Sequence, residues 1–317
     1  MFASVGRHWA CARVLGAIAS APSALAKLPL PAAIAGRFIN TAAGRPKEAH
    51  GPNAARQLSS VTKVAYADSV PMEAKEEIMD GVYHQIADKY DRVATISSLG
   101  MNTVWKRRFV HQMRARPGAR MLDVAGGTCE VAKHYLDYQD KVNSDNRSSV
   151  HVVDLNTGML RVGESRVAGT NWARDGRISF AKGNAEDLVN VADNSIDIYA
   201  ISAGMHNIPR LDKALSEAFR VVKPGGTFAC LEYGHVDTPL LGQIVRWYWD
   251  NGVPVVGQVF AEDRPAYERL ARSVRAFPHQ RDFAGLIRAA GFHLPGQGYE
   301  LFQCGMMVSY IGTKPSA

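Results

Sequence analysis

Strand-like and helix-like segments alternate along most of the chain, and this alternation restricts the possible folds. Five short runs rich in apolar and β-branched residues have the length of strands, at residues 120–125, 150–155, 178–183, 196–202 and 227–233. Amphipathic segments such as 129–138 and 211–222 lie between them and are predicted to be helices. Repeated alternation of this kind implies parallel pairing through right-handed crossovers, with helices on both faces of one sheet. We therefore predict an α/β fold, to which residues 292–302 and 305–314 add a hairpin at the sheet edge.

The first 60 residues have a different composition. They are rich in Ala, Ser and Arg, are interrupted by prolines, and carry six of the seven net positive charges of the chain. This composition is typical of a mitochondrial presequence, although a disordered tail or plastid import would give a similar pattern. The remaining chain is nearly neutral, which argues against binding to a nucleic-acid backbone. No run reaches the roughly 18 apolar residues that a membrane-spanning helix needs.

The segment LDVAGGTCE, residues 122–130, places a small-residue turn after the first strand. It lacks the Gly-Lys-Ser/Thr ending of a P-loop and the GxGxxG spacing of a nicotinamide-binding turn. Asp123, Ala125, Gly127 and Cys129 instead give the order acid, small, glycine, small where the strand enters a helix, and Gly126 lies within the same turn. Such a turn can hold a ligand without a pyrophosphate, although similar turns also occur purely for packing.

Two more polar residues follow the next two strands. Asp154 ends the second strand, where a carboxylate suits the ribose hydroxyls of a nucleoside. Asn184 follows the third strand, where it could read an adenine amino group. The long spacing from Asp123 to Asp154 is explained if 144–149, SDNRSS, is a polar surface insertion. The combination predicts S-adenosylmethionine as cofactor, and the absence of CxxC spacing predicts no metal.

With these motifs identified, the sequence resembles the UbiE family of ubiquinone and menaquinone C-methyltransferases from about Val82 to Lys314. The segments that carry the resemblance are 83–110, 122–128, 154–163, 184–188, 201–209, 212–226, 230–236 and 273–292. The resemblance implies a class I S-adenosylmethionine-dependent methyltransferase with a mostly parallel seven-stranded sheet and a C-terminal antiparallel hairpin. It also implies one domain over 61–317, with an N-terminal helical lid at about 72–115.

The resemblance further implies C-methylation of a polyprenyl benzoquinol ring in ubiquinone biosynthesis. Its motifs assign contacts with the methyl donor to Thr128, Asp154, Asn184, Ala185 and Ser202.

Methylation of a ring carbon requires a base, because a ring hydroxyl must lose its proton as the carbon attacks. His206 follows the fourth strand and could act as that base, since an unperturbed histidine titrates near ~6.5. A polar residue at the rim of the site is the alternative interpretation of His206. Asn207 could hold a ring oxygen. Glu232 and His235, at the end of the fifth strand, are alternative bases.

Tyr90 and Asp91 precede the sheet and resemble the family's lid over the site, although ordinary capping and packing would also explain them. The aromatic segment 244–260 could line a channel for the isoprenoid tail or lie at a bilayer surface, and helix core or a dimer face are its alternatives.

The chain departs from the family at several positions. Cys129 stands where the family usually has glycine, Asn184 replaces aspartate, Ala203 replaces phenylalanine and His206 replaces arginine. Two interpretations remain open from the sequence. One is an active methyltransferase, peripheral on the matrix face of the mitochondrial inner membrane within a ubiquinone-synthesis complex, with a possible homodimer. The other is a weakened family member that serves as a scaffold subunit.

Overall fold

The computed structural model describes residues 89–316. The predicted presequence, 1–60, and the first part of the predicted lid, 72–88, lie outside the described residues. Among the described residues, no helix has both the length and the apolar character needed to cross a bilayer.

One seven-stranded sheet organises the described part of the chain, with strand order β3-β2-β1-β4-β5-β7-β6. Its strands are Arg120–Val124 (β1), Ser149–Asp154 (β2), Ile178–Lys182 (β3), Ile196–Ser202 (β4), Val222–Tyr233 (β5), Glu300–Phe302 (β6) and Met307–Thr313 (β7). The first five strands pair in parallel, and β7 pairs antiparallel with β5 and β6. The predicted α/β class and the C-terminal hairpin are therefore confirmed.

Ten helices of the described chain surround this sheet. They are 89–97 (α1), Met101–Gln112 (α2), Glu130–Lys141 (α3), Thr157–Val167 (α4), Asn171–Arg174 (α5), Leu211–Val221 (α6), Pro239–Trp247 (α7), Val253–Ala261 (α8), Arg264–Ala276 (α9) and Gln280–Ala289 (α10). A π-helical turn, Tyr248–Gly252, joins α7 to α8, and a 3₁₀ turn, Met205–Asn207, follows β4.

Successive residues of the central strands enter two different buried clusters. On β1, Met121 packs in one cluster and Leu122 in the other, and on β4 the same alternation separates Ile198 from Tyr199. Because neighbouring side chains of a strand point to opposite faces, the two clusters cover the two faces of the sheet. Helices α2, α3 and α4 contribute to the cluster of Met121, whereas α6 and α10 contribute to the cluster of Leu122. Helices on both faces were predicted from the sequence, and the structure confirms them.

A third cluster lies among helices that are distant in sequence. Val93 of α1 packs with Val253 and Val256 of α8 and with Tyr267 of α9. We call α1 together with residues 248–276 the helical cap. The cap meets the carboxyl end of the sheet at Tyr233, the last residue of β5, whose ring centroid lies 4.8 Å from that of Trp249. Only part of the predicted lid range lies in this cap, because α2 packs mainly on a face of the sheet.

The 144–149 segment is only in part the polar surface insertion that the sequence predicts, since positions 144, 146 and 147 are exposed but others are buried. Asp145 and Ser148 are buried, and Asp145 accepts hydrogen bonds from the backbone N–H of Gly118 and from the Ser148 hydroxyl. Burial alone would raise the pKa of Asp145. The hydrogen bonds lower it by a larger amount, so the pKa lies below its usual range. The segment is therefore anchored to the amino end of β1 by a buried carboxylate.

Candidate active site

The order of the strands locates a crevice at the carboxyl ends of β1 and β4. The chain runs outward from β1 through β2 to β3 and then returns to β4 on the other side of β1. Ligands of open α/β sheets bind where this reversal occurs. The turns that follow the two strands are in close contact here, since a Cβ added to Gly204 would lie 2.8 Å from the Cβ of Ala125.

Backbone geometry explains the small residues in the turn after β1. Gly127 has a φ of 46°, in the left-handed region that favours glycine. Gly126 leaves no room for a side chain, because a Cβ there would lie 2.7 Å from Val152 and 2.9 Å from the Asp123 carboxyl carbon. The turn therefore presents backbone N–H groups at the entrance to α3.

Asp123 lies beneath this turn and is fully buried. Its Oδ2 accepts a hydrogen bond from the backbone N–H of Ala132 at 3.2 Å, which ties α3 to β1. Burial raises the pKa of Asp123 to about 7, and the Ala132 hydrogen bond offsets only part of that rise. Its Oδ1 has no hydrogen-bond partner within the described part of the chain.

Asp154 lies beside the turn, as the sequence predicts. Its Oδ2 accepts from the backbone N–H of Gly127 at 2.8 Å, and its Oδ1 accepts from that of Asn156 at 2.8 Å. Each carboxylate oxygen can accept more than one hydrogen bond, and a carboxylate at this strand end is a suitable acceptor for ligand hydroxyls. Asn156 in turn caps α4, accepting from the Met159 N–H at 2.8 Å.

A side-chain cluster joins the helical cap to the turn. The Thr128 hydroxyl donates to Asp91 of α1 at 2.9 Å. Arg166 of α4 forms an ion pair with Asp91 and donates to the Thr128 carbonyl at 3.2 Å. Arg166 was not among the site residues predicted from the sequence, because its partners lie in two segments that are distant along the chain. The sequence signal that could have found Arg166 is its position one helical turn beyond the segment 154–163, which carries part of the family resemblance.

The remaining predicted cofactor contacts lie at the ends of β3 and β4. Asn184 follows β3, and its side-chain oxygen accepts from the Glu186 N–H at 2.9 Å, while Ala185 packs against the core. Ser202 ends β4, and its buried hydroxyl has no hydrogen-bond partner among residues 89–316. These residues thus lie at the carboxyl ends of strands on either side of β1, at the edge of the sheet that carries the turn.

His206 and Glu232 form a buried pair across β4 and β5. His206 Nδ1 lies 2.8 Å from Glu232 Oε1, and both side chains are almost completely buried. The His206 ring also meets the Tyr233 ring edge-on, with 5.5 Å between centroids. His235, the alternative base, is held elsewhere by a 2.9 Å hydrogen bond between its Nε2 and the Phe277 carbonyl. The neighbour of His206, Asn207, is half-buried in the same 3₁₀ turn.

An aromatic cavity lies between the helical cap and the end of β5. It contains about 670 Å³ of empty space, part of it open to solvent. Residues lining it include Tyr90, Val93, Trp105, Tyr233, Tyr248, Trp249, Tyr267, Leu270, Met306 and Met307. Two residues that line this cavity, Tyr90 and Tyr233, connect it to the rest of the site. Tyr90 is adjacent to Asp91, which holds the turn, and Tyr233 contacts His206.

Cys129 is part of the protein core. It is fully buried at the start of α3, and its Sγ donates to the Gly163 carbonyl at 3.4 Å. Burial raises the pKa of its thiol to about 12, so it remains protonated near neutral pH. Its φ of 58° lies in the left-handed region, which explains why a glycine also suits this position.

These features fit a bound S-adenosylmethionine. The close backbone approach at Gly127, the carboxylate of Asp154 and the buried, unpartnered hydroxyl of Ser202 are what a nucleoside with an amino-acid tail requires. No group of three metal-ligating side chains occurs within 89–316.

Comparisons with known proteins agree with this geometry. The family model described as the ubiE/COQ5 methyltransferase family matches residues 71–314. The 2-methoxy-6-polyprenyl-1,4-benzoquinol methylase, mitochondrial, of Schizosaccharomyces pombe is 38% identical over 262 residues, covering 81% of this chain and 85% of the relative. The ubiquinone/menaquinone biosynthesis C-methyltransferase UbiE of Bartonella bacilliformis is 41% identical over 220 residues, covering 69% and 82%.

A solved structure supports the fold alone. It is described as a complex between the Haloferax volcanii Trm112 methyltransferase activator and the putative methyltransferase. The matched chain has a TM-score of 0.50 and 14% identity, and the match covers 73% of this chain and 98% of that chain.

Proposed function

Because the chain belongs to the ubiE/COQ5 methyltransferase family, we propose that it methylates a ring carbon of a polyprenyl benzoquinol in ubiquinone biosynthesis. The methyl donor is S-adenosylmethionine, and the substrate class is that of the 2-methoxy-6-polyprenyl-1,4-benzoquinol methylase of Schizosaccharomyces pombe. The observation that carries the proposal is the juxtaposition of the Asp154-bound turn, the His206 pair and the aromatic cavity at one edge of the sheet.

The strand-end residues hold the cofactor in this proposal. Asp154 accepts from the ribose hydroxyls while it keeps the turn in place through Gly127. Asn184 and Ala185 hold the adenine, and Ser202 and Thr128 contact the rest of the donor. Asp123, Gly126 and Gly127 shape the turn that faces the amino-acid portion. When bound, S-adenosylmethionine supplies an electrophilic methyl group on its sulfonium sulfur.

His206 is the proposed base. A ring hydroxyl of the quinol must lose its proton as the ring carbon attacks, and a well-placed base contributes about 10²- to 10⁴-fold to the rate. Asn207, next to His206 in the same 3₁₀ turn, holds a ring oxygen. Burial of the pair excludes bulk water from the proton transfer.

The aromatic cavity receives the substrate. Its lining is predominantly apolar, as expected of a site for a ring that carries an isoprenoid tail. Tyr90 covers it from α1, and Tyr248 and Trp249 of the predicted tail-binding segment line it. Trp247 of the same segment does not belong to the lining.

The protein acts in the mitochondrion, as the names of its relatives indicate. We further propose that residues 1–60 direct import and that the protein lies on the matrix face of the inner membrane. There it would meet a lipid-soluble quinol and other ubiquinone-biosynthesis proteins, and it could form a homodimer.

Quinone profiling tests the proposed function in cells. Deleting the gene should cause accumulation of the quinol that lacks the ring methyl group, and the wild-type gene should restore ubiquinone. Complementation with His206→Ala should fail although the protein is present at the normal level. Normal ubiquinone in the deletion strain would contradict the proposal.

A further inference from the structure

Glu232 is a buried carboxylate that lies directly against His206. Its Oε1 lies 2.8 Å from His206 Nδ1 and also accepts from the Tyr233 backbone N–H at 2.8 Å. Its Oε2 accepts from the His206 backbone N–H at 3.3 Å. Its side chain is 0% exposed and that of His206 is 1% exposed. A carboxylate that receives two backbone N–H groups acts in this cluster as an acceptor.

This arrangement determines the tautomer of His206. A neutral imidazole carries one proton, and an accepting carboxylate at Nδ1 requires the proton to be on Nδ1. Nε2 is then the ring atom with a lone pair that can accept a proton from another group. A carboxylate at Nδ1 also stabilises the imidazolium that forms when Nε2 accepts that proton.

Moving a carboxylate and an imidazole from water into the protein interior costs free energy, so such a buried pair is not expected from packing alone. The described chain offers a useful contrast at its surface. His279 Nε2 lies 3.0 Å from Asp237 Oδ1, but these side chains are 36% and 66% exposed. Solvent screens this second pair, so its carboxylate has little control over the ring.

We propose that Glu232 is a positioning residue for methyl transfer, which fixes His206 as the Nδ1–H tautomer and directs its Nε2 toward the proton of the quinol hydroxyl. This inference rests on the proposed function, because it assumes the assignment of His206 as base. In the reaction, the quinol O–H bond would break and its proton would go to His206 Nε2, while the ring carbon forms a bond to the donor's methyl carbon. The S–CH3 bond would break at the same time, and its electron pair would stay on the sulfur of the departing S-adenosylhomocysteine. The methylated ring carbon would then lose its C–H proton, which restores the aromatic ring, and the imidazolium would return its proton to the ring oxygen, so that one proton is released overall.

The first test reads the tautomer in the wild-type protein. Nitrogen-15 labelling of histidine and long-range proton–nitrogen correlation spectra distinguish Nδ1–H from Nε2–H, and His206→Asn identifies the signal of His206. We expect the Nδ1–H form in the wild type. The Nε2–H form would overturn the proposal, whether or not the protein is an active methyltransferase.

The second test separates positioning from folding in steady-state methylation assays. Glu232→Gln should lower kcat by about 100-fold, while the KM for a short-tail benzoquinol, the Kd for S-adenosylmethionine and the Tm remain close to wild type. Asp237→Asn, the matched control at the surface pair, should leave kcat unchanged. A Glu232→Gln variant with wild-type kcat, beside an inactive His206→Asn variant, would overturn the positioning role while the proposed function stands. Failure of the folded wild type to methylate would instead refute the proposed function.

Discussion

At the scale of single residues, Asp154 carries the strongest prediction for the cofactor. Asp154→Ala removes the acceptor of the Gly127 N–H and of the proposed ribose hydroxyls. Each hydrogen bond to a charged group contributes about 1.5 kcal/mol or more, so losing two should weaken S-adenosylmethionine binding by at least about 100-fold. Isothermal titration calorimetry measures this change.

Asp137→Ala is the matched control for that experiment. Asp137 forms an exposed ion pair with Lys141 on α3, away from the turn. Its removal should leave the Kd for the cofactor unchanged. Equal affinities of Asp154→Ala and wild type would refute the assignment of Asp154.

Asp123 makes the folded protein sensitive to pH. Below about pH 4 the carboxyl group is protonated in both folded and unfolded chains, since its ordinary pKa is 3.8. As the pH rises toward about 7, only the folded chain keeps the proton, so the free energy of unfolding falls by up to about 1.4 kcal/mol per pH unit. Above pH 7 this dependence disappears.

Urea unfolding of the wild type and of Asp123→Asn between pH 5 and 8, without cofactor, measures this effect. The difference in the free energy of unfolding between the two proteins should change across pH 5 to 7 and level off above it. A constant difference over the whole range would contradict a raised pKa for Asp123.

Residues that follow strands were predictable, whereas their partners were not. The positions of Asp154 and Asn184 at the carboxyl edge of the sheet could be predicted from the sequence because parallel strands end at a common edge. The pairing of His206 with Glu232 joins residues 26 positions apart, and the cluster of Asp91, Thr128 and Arg166 joins three separate segments. These contacts depend on how helices pack, which local sequence does not determine.

At the scale of elements, Asp91 couples α1 to the cofactor turn. Asp91→Ala removes both the Thr128 hydrogen bond and the Arg166 ion pair. Because a hydrogen bond to a charged group contributes about 1.5 kcal/mol, amide exchange in residues 92–97 should become about tenfold faster. Hydrogen–deuterium exchange with peptide-level mass spectrometry measures this change.

The control for α1 is Lys89→Ala on the same helix. Lys89 pairs with Glu262, but the side chains are 40% and 80% exposed, so the pair contributes little. Exchange in 92–97 should then match the wild type. If the two variants behave alike, Asp91 does not hold the helix to the turn.

The aromatic cavity yields a prediction for substrate chain length. Trp249→Ala removes a lining side chain and its contact with Tyr233, so the KM for a long-tail benzoquinol should rise about tenfold with little change in kcat. Trp247→Ala, two residues away and outside the lining, is the control. Steady-state assays with substrates of increasing tail length provide the measurement, and an equal effect of the two variants would refute the cavity as the tail site.

Two elements differ from their predictions for identifiable reasons. Strand β5 begins at Val222, five residues before the strand predicted at 227–233, and continues through Lys223–Gly226. The Gly225 N–H donates to the Lys314 carbonyl at 2.8 Å, so the C-terminal strand extends the pairing. The helical cap was only partly predicted, because α1 and residues 248–276 are separated by the whole sheet.

At the scale of the molecule, the α/β class and the family followed from the alternation and the motifs, and both are confirmed. The departures at Cys129 and His206 become understandable only in three dimensions. Cys129 packs toward Gly163, and His206 gains a buried carboxylate partner. Neither contact could be deduced from the residue types alone, although both bear on whether the protein is an enzyme or a scaffold.

Direct methyl transfer by the purified protein tests the central claim. The protein is incubated with S-adenosylmethionine carrying a carbon-13 methyl group and with a 2-methoxy-6-polyprenyl-1,4-benzoquinol, and the product is examined by mass spectrometry and carbon-13 NMR. We predict one labelled methyl group on a ring carbon with the wild type and none with Asp154→Ala. A folded wild-type protein that binds the cofactor weakly or not at all and leaves the quinol unlabelled would contradict the account.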